Sequence, residues 1–414
     1  MDMKDYSDLT LHILGLSVFG LNFGFFTSIT CHSSSMNLDN KNVHTNHSNH
    51  SNHTNHSNNN HNIPKYHQFH HDTLNKGIEF RKAIEVMFTR GVILENFLKY
   101  ESFFPFGWMY GLLSKVLGVE KAIQMVSDQL DEIIATRKRQ ILNKEEYNHQ
   151  DLLSLMMEPL MREMVNHCET STTNGQQEEM SDDKHNNNNT CSLLNFEAIK
   201  SNAYIFSLAG HETTATTLQW ITYRIAKHRD IQEKIRKEVF EVFGPHPRPI
   251  TFEDYEKLIY TNSVIMETLR LHNPVPGVLK VATKDVTLGG FKIPKGTDVI
   301  ISISAVCHAE KNWKNALEFN PDRFLGSFET QLRFQHSFEW IPFMIGNRRC
   351  LGYKFSLLET CAILAKLVHS FEFELLNDEN NPKDVIMRIP GITTRPGNLR
   401  VKAKLRSPSH VHSH

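Results

Sequence analysis

The chain has 414 residues, enough for one large domain or two to three small ones. Its 45 Lys and Arg against 46 Asp and Glu leave a net charge of −1, which argues against the basic footprint of a nucleic-acid-binding protein. Cys31, Cys168, Cys191, Cys307, Cys350 and Cys361 lie scattered without a CxxC pair, which speaks against a disulfide framework or a zinc site and suits a reducing, cytosol-facing compartment.

The apolar run over residues 9–31 has the length of a signal peptide or membrane span. Its flank, MDMKDYSD, is net acidic where an anchor would be led by Lys or Arg, and His12, Asn22 and three glycines weaken a spanning helix. Residues 33–66 are dominated by Asn, His, Ser and Thr, with His44, His47, His50, His53 and His56 at every third position. Such a tract is either a metal-binding stretch or a solvated insert too polar to bury anything; the composition favours the insert. Over residues 77–98 apolar side chains (Ile78, Phe80, Ala83, Ile84, Met87, Phe88) recur at helical spacing. An aromatic-rich segment, FFPFGWMYGLL from Phe103 to Leu113, follows. Residues 119–141 predict a further helix with Ile123, Val126, Leu130, Ile133 and Ile134 on one face and the basic TRKRQ placed against its C-terminal dipole. Residues 170–192 form a second low-complexity insert.

Residues 193–227 predict one helix of roughly 50 Å at 1.5 Å per residue. Its middle, Ala209-Gly210-His211-Glu212-Thr213-Thr214, is unusual, because Gly210 costs about 1 kcal/mol against Ala in a helix interior. A Thr there either back-bonds to a carbonyl one turn earlier or offers a hydroxyl that both donates and accepts a proton. Residues 256–271 predict a helix stopped by Pro274 and Pro276, with Glu267 and Arg270 on one face. Alternating strands follow, with Gly289-Gly290 as a hairpin signal. Further on, FMIGNRRCLG sets Cys350 between a glycine-bearing loop and an apolar helical run. A cysteine at such a helix start is either a buried structural thiol or a thiolate stabilised by the helix N-terminus and able to hold a metal.

Four motifs in order resemble the cytochrome P-450 family: AGHETT (Ala209 to Thr214), ETLR (Glu267 to Arg270), FNPDRF (Phe319 to Phe324) and FMIGNRRCLG (Phe343 to Gly352). The resemblance implies a mainly α fold with a small β-domain, incomplete at its N-terminus. The 1–32 segment would be an internal helix and turn. Residues 67–169 would supply helices and a flap over the substrate pocket, whose Phe103 to Leu113 stretch would touch a membrane surface. Residues 193–414 would be the haem-binding core. Cys350 would be the axial ligand of a haem b iron, with Phe343, Gly346, Arg348 and Gly352 beside the ring. Ala209 and Gly210 would lie on its other face, and Lys280 would reach a propionate. Glu212 and Thr213 would deliver protons as dioxygen is reduced. Glu267, Arg270 and Arg323 would form a structural ion triad. The implied activity is monooxygenation of a small apolar substrate by dioxygen, with electrons from NADPH through a separate reductase, at the endoplasmic reticulum or, without an anchor, in the cytoplasm. A non-catalytic truncated remnant and an isomerase or dehydratase acting on a preformed peroxide are the rival readings.

Overall fold

A computed structural model describes residues 3–19, 65–91, 107–145, 150–173, 195–245, 248–376, 386–388 and 393–406. The first helices are α1 (Met3–Phe19), α2 (Lys65–Val86, continued by a π turn over Met87–Gly91), α3 (Gly107–Val116), α4 (Val119–Asn143) and α5 (Leu152–Thr173). Next come α6 (Phe196–Lys227), α7 (Arg229–Phe243), α8 (Phe252–Lys257) and α9 (Ile259–Leu271). Strands β1 (Gly277–Val281), β2 (Val286–Leu288), β3 (Phe291–Ile293) and β4 (Asp298–Ser302) precede α10 (Ile303–Cys307), α11 (Phe328–Phe334) and α12 (Tyr353–Ser370). The described chain closes with β5 (Phe371–Leu375), β6 (Ile386–Arg388), β7 (Arg395–Gly397) and β8 (Val401–Leu405). The architecture is mainly α with small antiparallel ribbons, β1 with β4, β2 with β3, β5 with β8 and β6 with β7.

Two compact units emerge: Leu11–Met87 with Gly118–Ile205, and Met1–Thr10 with Phe88–Leu117 and Phe206–His414. In the first, α2 packs on α4. Helix α4 turns Val119, Ala122, Val126, Leu130 and Ile134 inward, the three-and-four spacing of a core-facing stripe. The predicted face is corrected at Ile123, which is 42 % exposed, its place being taken by Ala122. The basic TRKRQ segment does not lie at the helix end, because α4 continues to Asn143. Arg137 turns inward instead. It pairs with Asp151 Oδ2 at 2.6 Å, donates to the Ser154 hydroxyl and donates to the Phe19 carbonyl at 3.0 Å.

The larger unit gathers Ile221, Ile225, Ile235, Val239, Val264, Leu269, Trp313, Phe324, Trp340, Leu364 and Phe373 into one core. At its centre α9 is buried at every residue from Thr261 to Leu271. The helix predicted over 256–271 is two helices. Thr251 caps α8 by accepting the Asp254 N–H, and the chain turns at Leu258 before α9 begins. Glu238 of α7 then caps α9, accepting the Tyr260 N–H at 2.6 Å and the Thr261 N–H at 2.8 Å. The glycine hairpin forms as expected. Gly289 and Gly290 both take positive φ (57° and 87°) and set Leu288 opposite Phe291.

Among the described residues no helix is long and apolar enough to cross a membrane. The predicted insert over 33–66 lies outside the described residues up to residue 64, as do residues 20–31 of the first apolar run and 174–194 around the second insert. Of the aromatic segment Phe103 to Leu113, residues 103–106 lie outside the described residues; Leu112 and Leu113 are exposed on α3.

Candidate functional site

The cysteine loop is fixed by its own backbone. Cys350 N–H donates to the Phe343 carbonyl at 2.9 Å, closing a ring around the turn Gly346–Arg348. Two residues in this ring take left-handed backbone, Met344 at φ 60° and Gly346 at φ 78°. A glycine meets that conformation at no steric cost, whereas Met344 is held there by its N–H bond to the Ile341 carbonyl. Behind the loop, the Phe343 ring packs between Trp340 and Tyr353, 6.1 and 6.2 Å between centroids. Arg349, which the sequence did not single out, stacks 3.5 Å over the Tyr353 ring and donates to the Gln335 carbonyl at 2.8 Å.

The front of the loop is open. Cys350 is exposed, and a Cβ added at Gly346 or Gly352 would meet nothing within 4 Å. Arg348, in the same turn, is exposed, as is Lys280 on β1 opposite Val299. Neither cation has an ion-pair partner among the described residues. A soft thiol donor, backbone able to approach a flat group closely and unspent cations for carboxylates are the donor set a haem requires. Burial pushes the Cys350 thiol up, and the Gly352 N–H and Arg349 charge pull it down by less. A metal cation at the sulfur would supply the missing stabilisation.

Helix α6 runs unbroken through its Glu-Thr-Thr run. Ala209 is exposed, Gly210 is half-buried, and Thr213 Oγ1 donates to the Ala209 carbonyl at 2.8 Å. The local back-bond is therefore the one formed here. Glu212 is 9 % exposed and points elsewhere: its Oε1 accepts from Thr393 Oγ1 at 3.3 Å and lies 3.8 Å from Arg395 Nη1. The strand segment that carries both is pinned to its surroundings. Thr394 N–H donates to the Pro274 carbonyl at 2.7 Å, and Trp220 Nε1 donates to the Thr394 carbonyl at 3.0 Å. The next residue, Thr214, joins α6 to α12, its Oγ1 lying 3.4 Å from Ser356 Oγ.

Glu267, Arg270 and Arg323 come together. Arg270 grips Glu267 through two bonds of 2.7 and 2.8 Å, and both side chains are fully buried. Arg323 Nε lies 3.4 Å from Glu267 Oε1, which also accepts the Asn320 N–H at 2.9 Å. Arg270 spends its remaining donors on the Cys307, Ala316 and Glu318 carbonyls, tying α9 to the segment that leads toward the cysteine loop. The triad is a brace built around backbone as much as around charge.

Sequence reasoning passed over Arg349, Thr393, Arg395 and Glu359. Only Glu359 carried a signal, as a carboxylate inside the apolar run that follows Cys350.

A cytochrome P450 family model matches residues 67–403. Cytochrome P450 4V2 of Mus musculus is 34% identical over 214 residues, covering 51% of this chain and 39% of that protein. Cytokinin hydroxylase of Arabidopsis thaliana is 39% identical over 194 residues, 47% of this chain and 36% of the relative. Cytochrome P450 6a8 of Drosophila melanogaster is 29% identical over 295 residues, 70% of this chain and 52% of the relative. The matches thus span about half or less of the length of these curated relatives. With the family model covering most of the chain, and with the fold and motifs described above, the chain belongs to the cytochrome P450 family.

Proposed function

We propose that this chain is a haem-thiolate monooxygenase. The observation that carries the reading is the Cys350 loop: an exposed cysteine residue on a backbone-locked turn, with open space at Gly346 and Gly352. The residues present fit a haem b. Cys350 would hold its iron, with Phe343 supporting the loop, and Arg348 with Lys280 would meet the propionates. Ala209 and Gly210, which carry no bulk, would leave room on the opposite face.

Haem held in this way supplies dioxygen binding and activation. The protein's own part is proton supply and orientation. One oxygen atom enters a C–H bond of an apolar substrate and the other leaves as water, a balance that takes up two electrons and two protons. The electrons come from NADPH through a separate reductase. Glu212 takes a proton at Oε1 from solvent and turns from Thr393 toward Thr213, whose Oγ1 passes the proton on after exchanging its bond to the Ala209 carbonyl. Arg395, a quarter exposed, ties that carboxylate to the surface end of the route. The relative named cytokinin hydroxylase supports this reaction class. We place the enzyme at the endoplasmic reticulum membrane, with the exposed Leu112, Leu113 and Val116 of α3 as peripheral contacts.

A second reading, an isomerase or dehydratase acting on a preformed peroxide, draws support from the Thr213 hydroxyl being committed to Ala209. Labelled dioxygen separates the two. With reductase and NADPH, the monooxygenase incorporates one labelled atom into product; an isomerase turns over peroxide with no NADPH and incorporates none. Thr213→Ala is expected to lower product formed per NADPH consumed by on the order of a hundredfold while NADPH oxidation continues. Unchanged coupling would remove Thr213 from the proton route.

A further inference from the structure

The two residues that clasp Glu212 are held by a side chain further along the same helix. Eight residues past Glu212 on α6, about 12 Å at 1.5 Å per residue, stands Trp220. It is 3 % exposed, and its Nε1 donates to the Thr394 carbonyl at 3.0 Å. A buried indole N–H needs an acceptor, and any carbonyl in reach would satisfy it. The one it meets belongs to the residue between Thr393 and Arg395. Thr393 Oγ1 donates to Glu212 Oε1 at 3.3 Å, and Arg395 Nη1 lies 3.8 Å from the same oxygen.

Trp220 is itself braced. Its ring lies flat on the His272 imidazole, 4.0 Å between centroids at an interplanar angle of 5°. His272 closes the C-terminus of α9 and accepts at Nε2 from Arg224 Nε at 2.9 Å and from Arg224 Nη2. The guanidinium in turn lies 5.0 Å from the Phe319 ring centroid and 5.4 Å from that of Tyr223. Burial and the Arg224 charge push the His272 ring well below its usual value, so it stays neutral and both donors keep their acceptor. The two residues after His272 take up the rest of Thr394. Its hydroxyl donates to the Asn273 carbonyl at 2.6 Å and its N–H to the Pro274 carbonyl at 2.7 Å. Thr394 thus gives its carbonyl to α6 and both donors to the exit of α9, and its two neighbours face Glu212 from a fixed backbone.

We propose that Trp220 is a positioning residue: through the Thr394 carbonyl it fixes Thr393 and Arg395 against Glu212 and so sets where that carboxylate takes up its proton. The inference rests on the proton route proposed above for Glu212 and Thr213. Without the indole N–H, the 393–395 segment keeps its bonds to the exit of α9 but loses a bond to α6 that does not depend on Glu212 itself.

Trp220→Phe keeps a ring to stack on His272 and removes the N–H donor. Hydrogen exchange read by mass spectrometry on the full-length chain tests the first link without haem or substrate. The Thr394 amide is expected to exchange about fivefold faster in Trp220→Phe, the share of one hydrogen bond, while the amides of α9 keep their protection. The second link is read as product formed per NADPH with haem, reductase and labelled dioxygen supplied. Trp220→Phe should lower it about fivefold, and Thr393→Val, which breaks the bond at Glu212 directly, should do the same. In a Glu212→Gln background neither should cost anything further, because a residue that acts only through that carboxylate has no effect once it is gone. Replacing Trp220 by its benzothiophene isostere, which lacks only the N–H, repeats both readings if Trp220→Phe does not fold. Unchanged exchange at Thr394, or a loss on Trp220→Phe that persists undiminished in the Glu212→Gln background, would overturn the proposal. Coupling unmoved by Glu212→Gln itself would strike the proton route and this role with it. Coupling that falls in Glu212→Gln but not in Trp220→Phe would strike the role of Trp220 alone.

Discussion

At residue scale, Glu267 and Arg270 show how the larger unit keeps a buried charge. Arg270 and Glu267 are fully buried and satisfied by each other and by three carbonyls. Arg270→Ala would leave Glu267 ionised without its main partner, and we expect a loss of roughly 3–5 kcal/mol in thermal or denaturant unfolding. A loss below 1 kcal/mol would mean that Arg323 and the Asn320 N–H carry the carboxylate alone. Glu359 behaves oppositely. Its folded-state value of about 8 lies above the ordinary 4.5, so the folded chain keeps a proton that the unfolded chain releases. Stability should fall as pH rises between those values, by about 1.4 kcal/mol per unit at most, and level off above pH 8. Glu359→Gln should flatten that slope, which urea unfolding across the window would reveal. The Glu267–Arg270 pair was legible because its spacing is local. The partners Thr393 and Arg395 were not, since nothing in a sequence marks a contact 181 residues away.

At the scale of elements, the sequence located helices and hairpin well and misjudged faces and ends. The Gly289-Gly290 turn was readable because both positions need positive φ, which glycine meets without strain. The continuous helix expected over 256–271 failed because Leu258 takes non-helical backbone (ψ 57°) between α8, which the Thr251–Asp254 capping box starts, and α9, whose first N–H groups Glu238 accepts. That cap should contribute about 1 kcal/mol, so Thr251→Ala is expected to lower unfolding stability by that amount without altering the cysteine loop. No measurable change would show that Arg248, bonded to Asp254 at 2.5 and 2.8 Å, holds the turn alone. The Arg248 guanidinium keeps the Asp254 carboxyl well below the usual carboxylate range. Its stabilising share is therefore present above that range and lost on acidification. In α4 the apolar period was right, yet Arg137 turns inward because Asp151, itself buried, supplies its counter-charge from outside the helix.

At the scale of the whole molecule, family, fold class and site loop converge. The family model covers residues 67–403, and the Cys350 loop, the Glu-Thr-Thr run of α6 and the ion triad lie in one compact unit. The proposed function rests on Cys350 holding a haem through its sulfur. Dithionite reduction of the purified, haem-supplied chain followed by CO tests it most directly. The wild type should give a strongly red-shifted Soret band, and Cys350→Ala should lose that band. A haem-loaded wild type without the shift, or an undiminished band in Cys350→Ala, would contradict the account.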